Sequence, residues 1–424
     1  MSQPQLQVLI GFQTTVGFGQ PFLLDDAFYG VLNTTGRGTL GGIQMSDVTT
    51  YVQSVFINRG RSRQLDEFNC GTASLTLWNK TRIFDPVNQS SPYWIGGATQ
   101  QTGIVPRLPI QILANGIPIY TGLVTDWDID YDLGFNDIAQ VSCADNFTVL
   151  SNQQLNTYTP GVESSGNRIY NIAANTGVLA QPEINYQGAV SIDTGSSTLG
   201  AFLVDQDTNC LSYLQQINTS EQGYLYMSAN GTLTFKGRSS VLNPVAGATF
   251  NGDGTGLSYN SLKNQYGDEL LYNYISTQSD AGAVQVTSDA TSIAQYQTQT
   301  YSLLSLLNST TSAVAALGNY LLGRFKNPIL RFNGLSTELA GMTEAKQNIA
   351  LSLDLTSICT VVKNFIVGTP TSETQTLIVS GITHSITPSS HRVSYTFEST
   401  DQNAYFTLND AIFGTLSTTN LLSF

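Results

Sequence analysis

The 424-residue sequence predicts a mainly β protein of the α+β class, with two similar antiparallel β domains and a small α+β insert between them. Three observations lead to this prediction. Apolar and polar residues alternate with period two in several stretches, which is typical of a sheet whose faces have different environments. Asn115-Gly116 and Asn230-Gly231 separate such stretches and indicate tight hairpins. Two long segments also share one layout, which indicates an internal duplication.

Residues 1–43 are expected to form an N-terminal extension, because they are rich in glycine and lack the apolar residues of a self-sufficient core. The start of the chain has no basic segment followed by a long apolar one, so we expect no signal peptide. No apolar run approaches ~18 residues, so we expect no stable membrane insertion.

A first β domain is predicted at residues 44–155. It opens with a strand pair between residues 51 and 84, in which the segment ASLTLW, residues 73–78, alternates in polarity. A loop rich in proline and glycine follows, and then two strands joined at Asn115-Gly116. Gly122 interrupts the second of these strands and indicates a bulge or a close backbone approach.

The insert is predicted at residues 156–255. Its segment DTNCLSYLQQINTSEQG, residues 207–223, has apolar residues at helical spacing. Asp207 or Thr208 is the expected N-cap, and Gly223 is the expected stop. The second Asn-Gly hairpin follows this helix.

A second β domain is predicted at residues 256–405. It contains the clearest helix of the chain, near residues 309–326, which we expect to pack on a sheet. Ser309 or Thr310 is the expected N-cap, and Asn327-Pro328 is the expected end.

The internal duplication is carried by residues 118–150 and 376–408. Each segment has a strand interrupted by glycine, a turn, a returning strand, an aspartate, an aromatic residue and a leucine. A second, shorter echo aligns residues 22–35 with residues 406–419 without gaps, so the C-terminal tail at 406–424 repeats part of the extension. We expect the two shorter copies to dock in the same way.

The composition argues against a general nucleic-acid binder. Charged residues make up only 11% of the chain, and the formal net charge is −13. A nucleic-acid binder needs a basic footprint. Such a neutral and acidic surface is common in all-β extracellular and virion proteins, and a negative wall would let DNA slide past without sticking.

Four groups of residues are candidates for sites, and none predicts catalysis, a cofactor or a metal. The groups are the basic cluster Arg59, Arg61 and Arg63; the acidic row Asp126, Asp128, Asp130 and Asp132; the pair His384 and His391; and the thiols Cys70, Cys143, Cys210 and Cys359. The arginines are expected at a subunit interface, with phosphates or nearby carboxylates as alternatives. The acidic row predicts a solvated or channel face, with Ca²⁺ or a glycosidase pair as alternatives.

The two histidines flank a turn and are expected to face each other across a hairpin, which alone makes a poor zinc site. The cysteines have no CxxC spacing and are expected to be buried free thiols. No GxSxG, HExxH or Walker-type motif occurs in the chain. The sequence therefore predicts a protein that is not an enzyme.

The segment RGRSRQLDEFNCGTASLTLWN, residues 59–79, with Asp85-Pro86 after it, resembles the tail-tip hub proteins of tailed bacteriophages. These are the gp27-like baseplate hubs, or minor tail proteins. The order helix, glycine, hairpin in the insert resembles the middle domain of that family. The resemblance implies that the two β domains are β-barrel tube domains, the second with a packed helix.

The resemblance also implies a function and partners. The chain would be a homotrimer whose two similar domains form a pseudo-sixfold ring between tail tube and tip, with DNA passing through it. Partners would be the distal tail or tail tube ring, fibre or spike proteins and the tape measure protein. The protein would be located in the virion tail, which would be assembled in the host cytoplasm. Alternatives are a hexameric distal tail protein, a tail-associated cell-wall hydrolase and a carbohydrate-binding adhesin.

Overall fold

The computed structural model of the chain describes residues 3–13, 20–21, 37–39, 43–96, 101–134, 136–174, 186, 188–241, 246–280, 282–400, 404–405 and 420–421. The two echoing segments, at residues 22–35 and 406–419, lie outside the described residues. Their predicted common mode of docking therefore stays a prediction.

Thirteen of the described strands form one large, mostly antiparallel sheet. They are Leu6–Gln13 (β1), Ile43–Asp47 (β2), Val52–Gly60 (β3), Asn69–Trp78 (β4), Pro109–Ala114 (β5), Ile117–Asp130 (β6), Ile138–Ala144 (β7), Ala248–Asn251 (β8), Ser261–Gln265 (β9), Arg331–Glu338 (β10), Ile358–Asn364 (β11), Ser372–Thr387 (β12) and Ser390–Ser399 (β13). The mainly β prediction is confirmed. Within the predicted N-terminal extension, β1 is a strand of this sheet and buries Val8, Ile10 and Phe12.

The order of strands across the sheet is β9-β10-β13-β12-β3-β4-β7-β6-β5-β1-β2, and β11 pairs with both β8 and β12. The long strand β12 pairs with β11 through residues 372–378 and with β3 through residues 381–386. It therefore joins the early and late parts of the chain into one sheet.

Two sets of five strands follow the same order in space. The first strand run is β3-β4-β7-β6-β5, and the second strand run is β9-β10-β13-β12-β11. In each run the third, fourth and fifth strands in sequence form a meander, and the fifth pairs back onto the second. Both central strands carry a register shift, between Val124 and Asp126 in β6 and between Val379 and Gly381 in β12.

The helices are Phe147–Ser151 (α1), Ser165–Ala173 (α2), Cys210–Glu221 (α3), Ala290–Tyr296 (α4), Thr311–Phe325 (α5) and Glu344–Ser352 (α6). Smaller sheets pair Gln20–Pro21 with Arg37–Thr39, Trp94–Gly96 with Gln101–Thr102, Gln154–Leu155 with Thr208–Asn209, Glu163–Ser164 with Thr198–Leu199, and Ala404–Tyr405 with Asn420–Leu421. Two three-stranded sheets contain Val190–Ile192, Leu233–Lys236 and Tyr224–Met227, and Gln285–Ser288, Tyr274–Ser279 and Thr300–Leu306. Among the described helices, none is long and apolar enough to cross a membrane.

The predicted local signals are found at the expected places, with two corrections. Asn115 (φ 50°) and Gly116 (φ 75°) form the two-residue turn between β5 and β6. Helix α3 is capped by Asn209, not by Asp207 or Thr208, because the Asn209 side chain accepts a hydrogen bond from Ser212 N. Gln222, not Gly223, takes the left-handed conformation at its end.

Helix α5 has the predicted cap, because the Thr310 side chain accepts a hydrogen bond from Ala313 N. The helix packs on the three-stranded sheet of residues 274–306 rather than on the large sheet. It buries Val314, Leu317 and Leu321 against Ile275 in a hydrophobic cluster of its own. The second cluster is much larger and extends through the large sheet and the residues of the insert.

Candidate functional surface

One face of the large sheet is polar over eight neighbouring strands, from β9 to β6. A central cross-strand row contains Glu338, Arg392, Ser385, Phe56, Ser74, Ser142 and Asp126, one residue from each of seven strands. The flanking rows contain Ser336, Ser394, Thr383, Asn58 and Thr72 on one side, and Ser54, Thr76, Gln140 and Asp128 on the other. Ser261 extends the first of these rows to β9. We call these residues, which are polar except for the exposed Phe56, the polar face.

The polar face exists because the strands alternate. Its residues are exposed or half-buried, while the residues between them, such as Val55, Ile57, Leu75, Val141 and Val393, are buried in the core. Successive side chains of a strand point to opposite sides of the sheet, so a shared register lines up all the polar ones. The face crosses from β12 to β3 without interruption and so belongs to both strand runs.

Charge is sparse on the polar face and mostly negative. Glu338 stands opposite Arg392, and hydrogen bonds from Ser390 and the backbone of His391 outweigh burial and hold its pKa below the ordinary value. Asp126 and Asp128 are in no ion pair among the described residues. Serine, threonine and amide groups dominate elsewhere, so the surface offers hydrogen bonds but little attraction for phosphates.

The acidic row is on the exposed side of β6, as predicted for a solvated face. All four aspartates are exposed. Asp132 lies beyond the end of β6 and accepts a hydrogen bond from Gly134 N at 3.1 Å. Within the described ranges, no three His, Cys, Asp or Glu side chains are grouped so that they could hold a metal ion.

The prediction of a subunit interface is wrong for two of the three arginines. Arg59 and Arg61 are buried inside the chain, and only Arg63 is exposed, near Asp66 and Glu269. The reason is that β3 ends at Gly60, where β12 and the insert pack against it.

Arg61 forms a two-pronged ion pair with Glu398 of β13. The distance from Nε to Oε1 is 2.6 Å, and the distance from Nη2 to Oε2 is 2.8 Å. Nη1 donates to the backbone oxygen of Asp66, and the guanidinium lies over the rings of Phe68 and Tyr224. Burial opposes the charge of Arg61, but Glu398 outweighs it and the pKa is raised.

Arg59 connects three parts of the chain. Its Nη2 atom donates to the Met227 carbonyl oxygen of the insert at 2.9 Å and to Asp354 Oδ1 at 2.7 Å. The other oxygen of Asp354 accepts from Ala229 N. The two buried arginines therefore fix the insert and the second strand run to the end of β3.

His384 and His391 face each other across the β12–β13 hairpin, as predicted, with Nδ1 of His384 3.1 Å from Nε2 of His391. Both are buried. Burial, together with His391 and Arg59, lowers the pKa of His384 well below its ordinary value. Burial lowers the pKa of His391 to about 4, against an opposing effect of Glu338. Both histidines are therefore neutral in the folded protein at pH values above about 4.

We expect this pair to make the protein less stable in mild acid. The unfolded chain takes up protons on both histidines near pH 6.5, while the folded chain does not. Their contribution is thus fully present above pH 6.5 and is lost as the pH falls towards 4, by about 1.4 kcal/mol per pH unit for each histidine. Urea unfolding at several pH values between 4.5 and 6.5 measures the slope.

The control for this prediction is the double variant His384→Leu/His391→Leu, whose slope in the same window should be much smaller. Burial raises the pKa of Asp145, which adds a slope of opposite sign in both proteins, so the difference between the two slopes is the informative quantity. Equal slopes would show that the histidines are not buried as a neutral pair.

The four cysteines are free, and all but the half-buried Cys70 are fully buried, as predicted. Burial raises the pKa of Cys70, Cys210 and Cys359 to about 12 in each case and raises that of Cys143 as well. Thiols that stay protonated are poor nucleophiles and metal ligands.

Sequence reasoning missed one exposed feature, the tip of the β11–β12 hairpin. Phe365, Ile366 and Val367 are all exposed there. The available signal was an apolar triplet placed directly before the turn-forming residues Gly368 and Pro370.

Solved structures of tail proteins share this fold. The tail protein from Neisseria meningitidis MC58 is 10% identical, with a TM-score of 0.56 over 85% of this chain and 94% of that one. The 43 kDa tail protein of prophage MuSo2 from Shewanella oneidensis is 12% identical, with a TM-score of 0.53 over 84% and 94%. No protein-family model and no curated protein matches the sequence. The resemblance to phage tail proteins is confirmed at the level of the fold.

Proposed function

We propose that the chain is a structural hub at the tip of a bacteriophage tail and has no enzymatic activity. Three copies would form a ring of pseudo-sixfold symmetry that joins the tail tube to the tip and lines or closes the DNA channel. The protein would be part of the virion, in the baseplate region, and would act during genome ejection.

The polar face is the observation that carries the proposal. A wall past which DNA moves should offer hydration without binding phosphates. Hydroxyl and amide groups with a few carboxylates, such as Asp126 and Asp128, have this chemistry. Because the face continues from the second strand run into the first, both runs would line the same channel.

The common strand order of the two runs supports the pseudo-sixfold ring. If the runs are copies of one unit, three chains present six similar units, and such a ring fits a sixfold tube on one side and threefold partners on the other. The division of the chain at residues 1–43, 44–155, 156–255, 256–405 and 406–424 is part of this proposal.

The proposed partners follow from the position in the tail. The ring would contact the distal tail or tail tube proteins above, fibre or spike proteins below, and the tape measure protein in its channel. DNA would pass without sequence-specific contacts, because the formal net charge is −13 and the polar face is poor in cations.

Native mass spectrometry of the purified protein tests the proposal. We expect an assembly of three times the 45.7 kDa chain mass, and electron micrographs of rings with six similar units around a central opening. A stable hexamer would instead indicate a distal tail protein. A monomer at all concentrations would contradict the hub and leave the hydrolase and adhesin as candidates.

A further inference from the structure

The tip of the β11–β12 hairpin is an ordered apolar projection. Asn364 pairs with Ser372 at the end of the two strands, and Phe365 N donates to the Thr371 carbonyl oxygen at 2.9 Å. Beyond this closure Ile366 is 100% exposed and Val367 84%. Single exposed apolar residues are ordinary, whereas two consecutive branched side chains at a projecting tip form a continuous apolar surface that a partner would cover.

A cleft of about 390 Å³ lies at the other end of β12, beside the start of β1. Its apolar lining comes from Pro4, Leu6, Val52, Ile386 and Pro388. This lining could bury a pair of aliphatic side chains that the surface of the free chain leaves in water.

Two glutamines of the cleft wall have unused hydrogen-bonding atoms. Gln3 Oε1 and Gln53 Nε2 are buried and have no hydrogen-bond partner among the described residues. Neither atom is accessible in the free chain, so each glutamine side chain has to turn into the cleft before it can bond the peptide N–H and C=O groups of an incoming loop. The cleft is therefore suited to a loop that presents both apolar side chains and backbone.

The tip and the cleft lie at opposite ends of β12. The strand β12 has 16 residues, which at about 3.3 Å per residue places its ends roughly 50 Å apart when straight. The tip precedes its first residue, and the cleft surrounds its last ones. A projection and a receptor at opposite ends of one molecule make a head-to-tail contact. Repeated head-to-tail contacts close into a trimeric ring when neighbours are related by a rotation of about 120°, and otherwise give open filaments, which would overturn the closed contact.

We propose that the tip of the β11–β12 hairpin inserts into the β12-end cleft of a second copy of this chain, and that this contact closes the trimer. Ile366 and Val367 occupy the cleft, and the side chains of Gln3 and Gln53 turn to bond the backbone of the tip. The inference rests on the proposed trimeric hub and specifies its interface.

The double variant Ile366→Asp/Val367→Asp tests the contact by analytical ultracentrifugation. Placing two carboxylates in an apolar cleft should weaken assembly at least about 100-fold. The product should be monomers that keep the far-ultraviolet circular dichroism of the wild type, with a Tm no higher than that of the assembled protein. The matched control is Val284→Asp/Val286→Asp, because these residues are exposed to 49% and 51% on the sheet of residues 274–306. This control should remain trimeric.

The outcomes distinguish a failure of the tip–cleft contact from a failure of the hub proposal. If the wild type is a trimer and the tip variant stays one, the tip–cleft contact is overturned while the hub proposal stands. If the wild type is a monomer, the trimeric hub itself fails.

Cross-linking identifies the occupant of the cleft. A protein with Val367→Cys and Thr387→Cys, treated with a short bismaleimide, should give covalent dimers and trimers on a denaturing gel. Pairing Val367→Cys with Val286→Cys should leave single chains. A cross-link confined to single chains, or none in a sample shown to be trimeric, would overturn the proposal.

Discussion

Replacing Glu398 with alanine is expected to lower the free energy of unfolding by about 3–5 kcal/mol. The substitution leaves the Arg61 guanidinium buried at the junction of β3, β13 and the insert without its carboxylate, and the Arg61 side chain is only 8% exposed. The pocket beside the pair has room for water in only about 50 Å³, so most of the cost of desolvating the cation falls on the folded state. Urea unfolding at pH 7 measures the loss.

Two further variants show whether the cost arises from an unpaired buried charge. Arg63→Ala removes a guanidinium that is 45% exposed and should change stability by no more than about 1 kcal/mol. Arg61→Met/Glu398→Leu removes both charges and should recover much of the stability lost in Glu398→Ala. A loss in Glu398→Ala as small as that in Arg63→Ala would show that water reaches the pair.

The contrast between Arg61 and Arg63 also shows where sequence reasoning reached its limit. All three arginines look alike in the sequence, spaced by two residues and followed by acidic residues. The partner of Arg61, however, is 337 residues away in the chain, and no local pattern indicates it. Burial here is decided by the packing of β12 and the insert at the end of β3.

Most features with a local physical cause were predicted well, and the two ends of α3 were displaced by one or two residues. The turn at Asn115-Gly116 requires positive φ at both positions, and these two residue types adopt it readily. The cap of α5 and the alternation of β4 depend on neighbours within a few residues. The polar face could be anticipated only in part, at the acidic row, because its continuity depends on register between strands that are far apart in sequence.

Gly60→Ala is expected to cost about 3–5 kcal/mol, because the new methyl group adds backbone strain to a steric clash. Gly60 has a φ of 103°, and it pairs with Gly381 where β3 meets β12. A Cβ atom there would overlap the Ser380 carbonyl oxygen and lie 2.7 Å from Gly381 Cα. Neither backbone atom can move without separating the two strand runs, so the substitution acts on the joint on which a common polar face depends.

Two glycines of the same chain separate the strain from the clash. Gly116 has a φ of 75°, and a methyl group added there would have no atom within 4 Å. Gly116→Ala should therefore show the conformational cost alone, about 1–2 kcal/mol. Gly161→Ala has open space and ordinary φ and should change stability by less than about 0.5 kcal/mol. If Gly60→Ala lowers the free energy of unfolding no more than Gly116→Ala does, β3 and β12 do not approach so closely. The polar face would then be divided between the two strand runs.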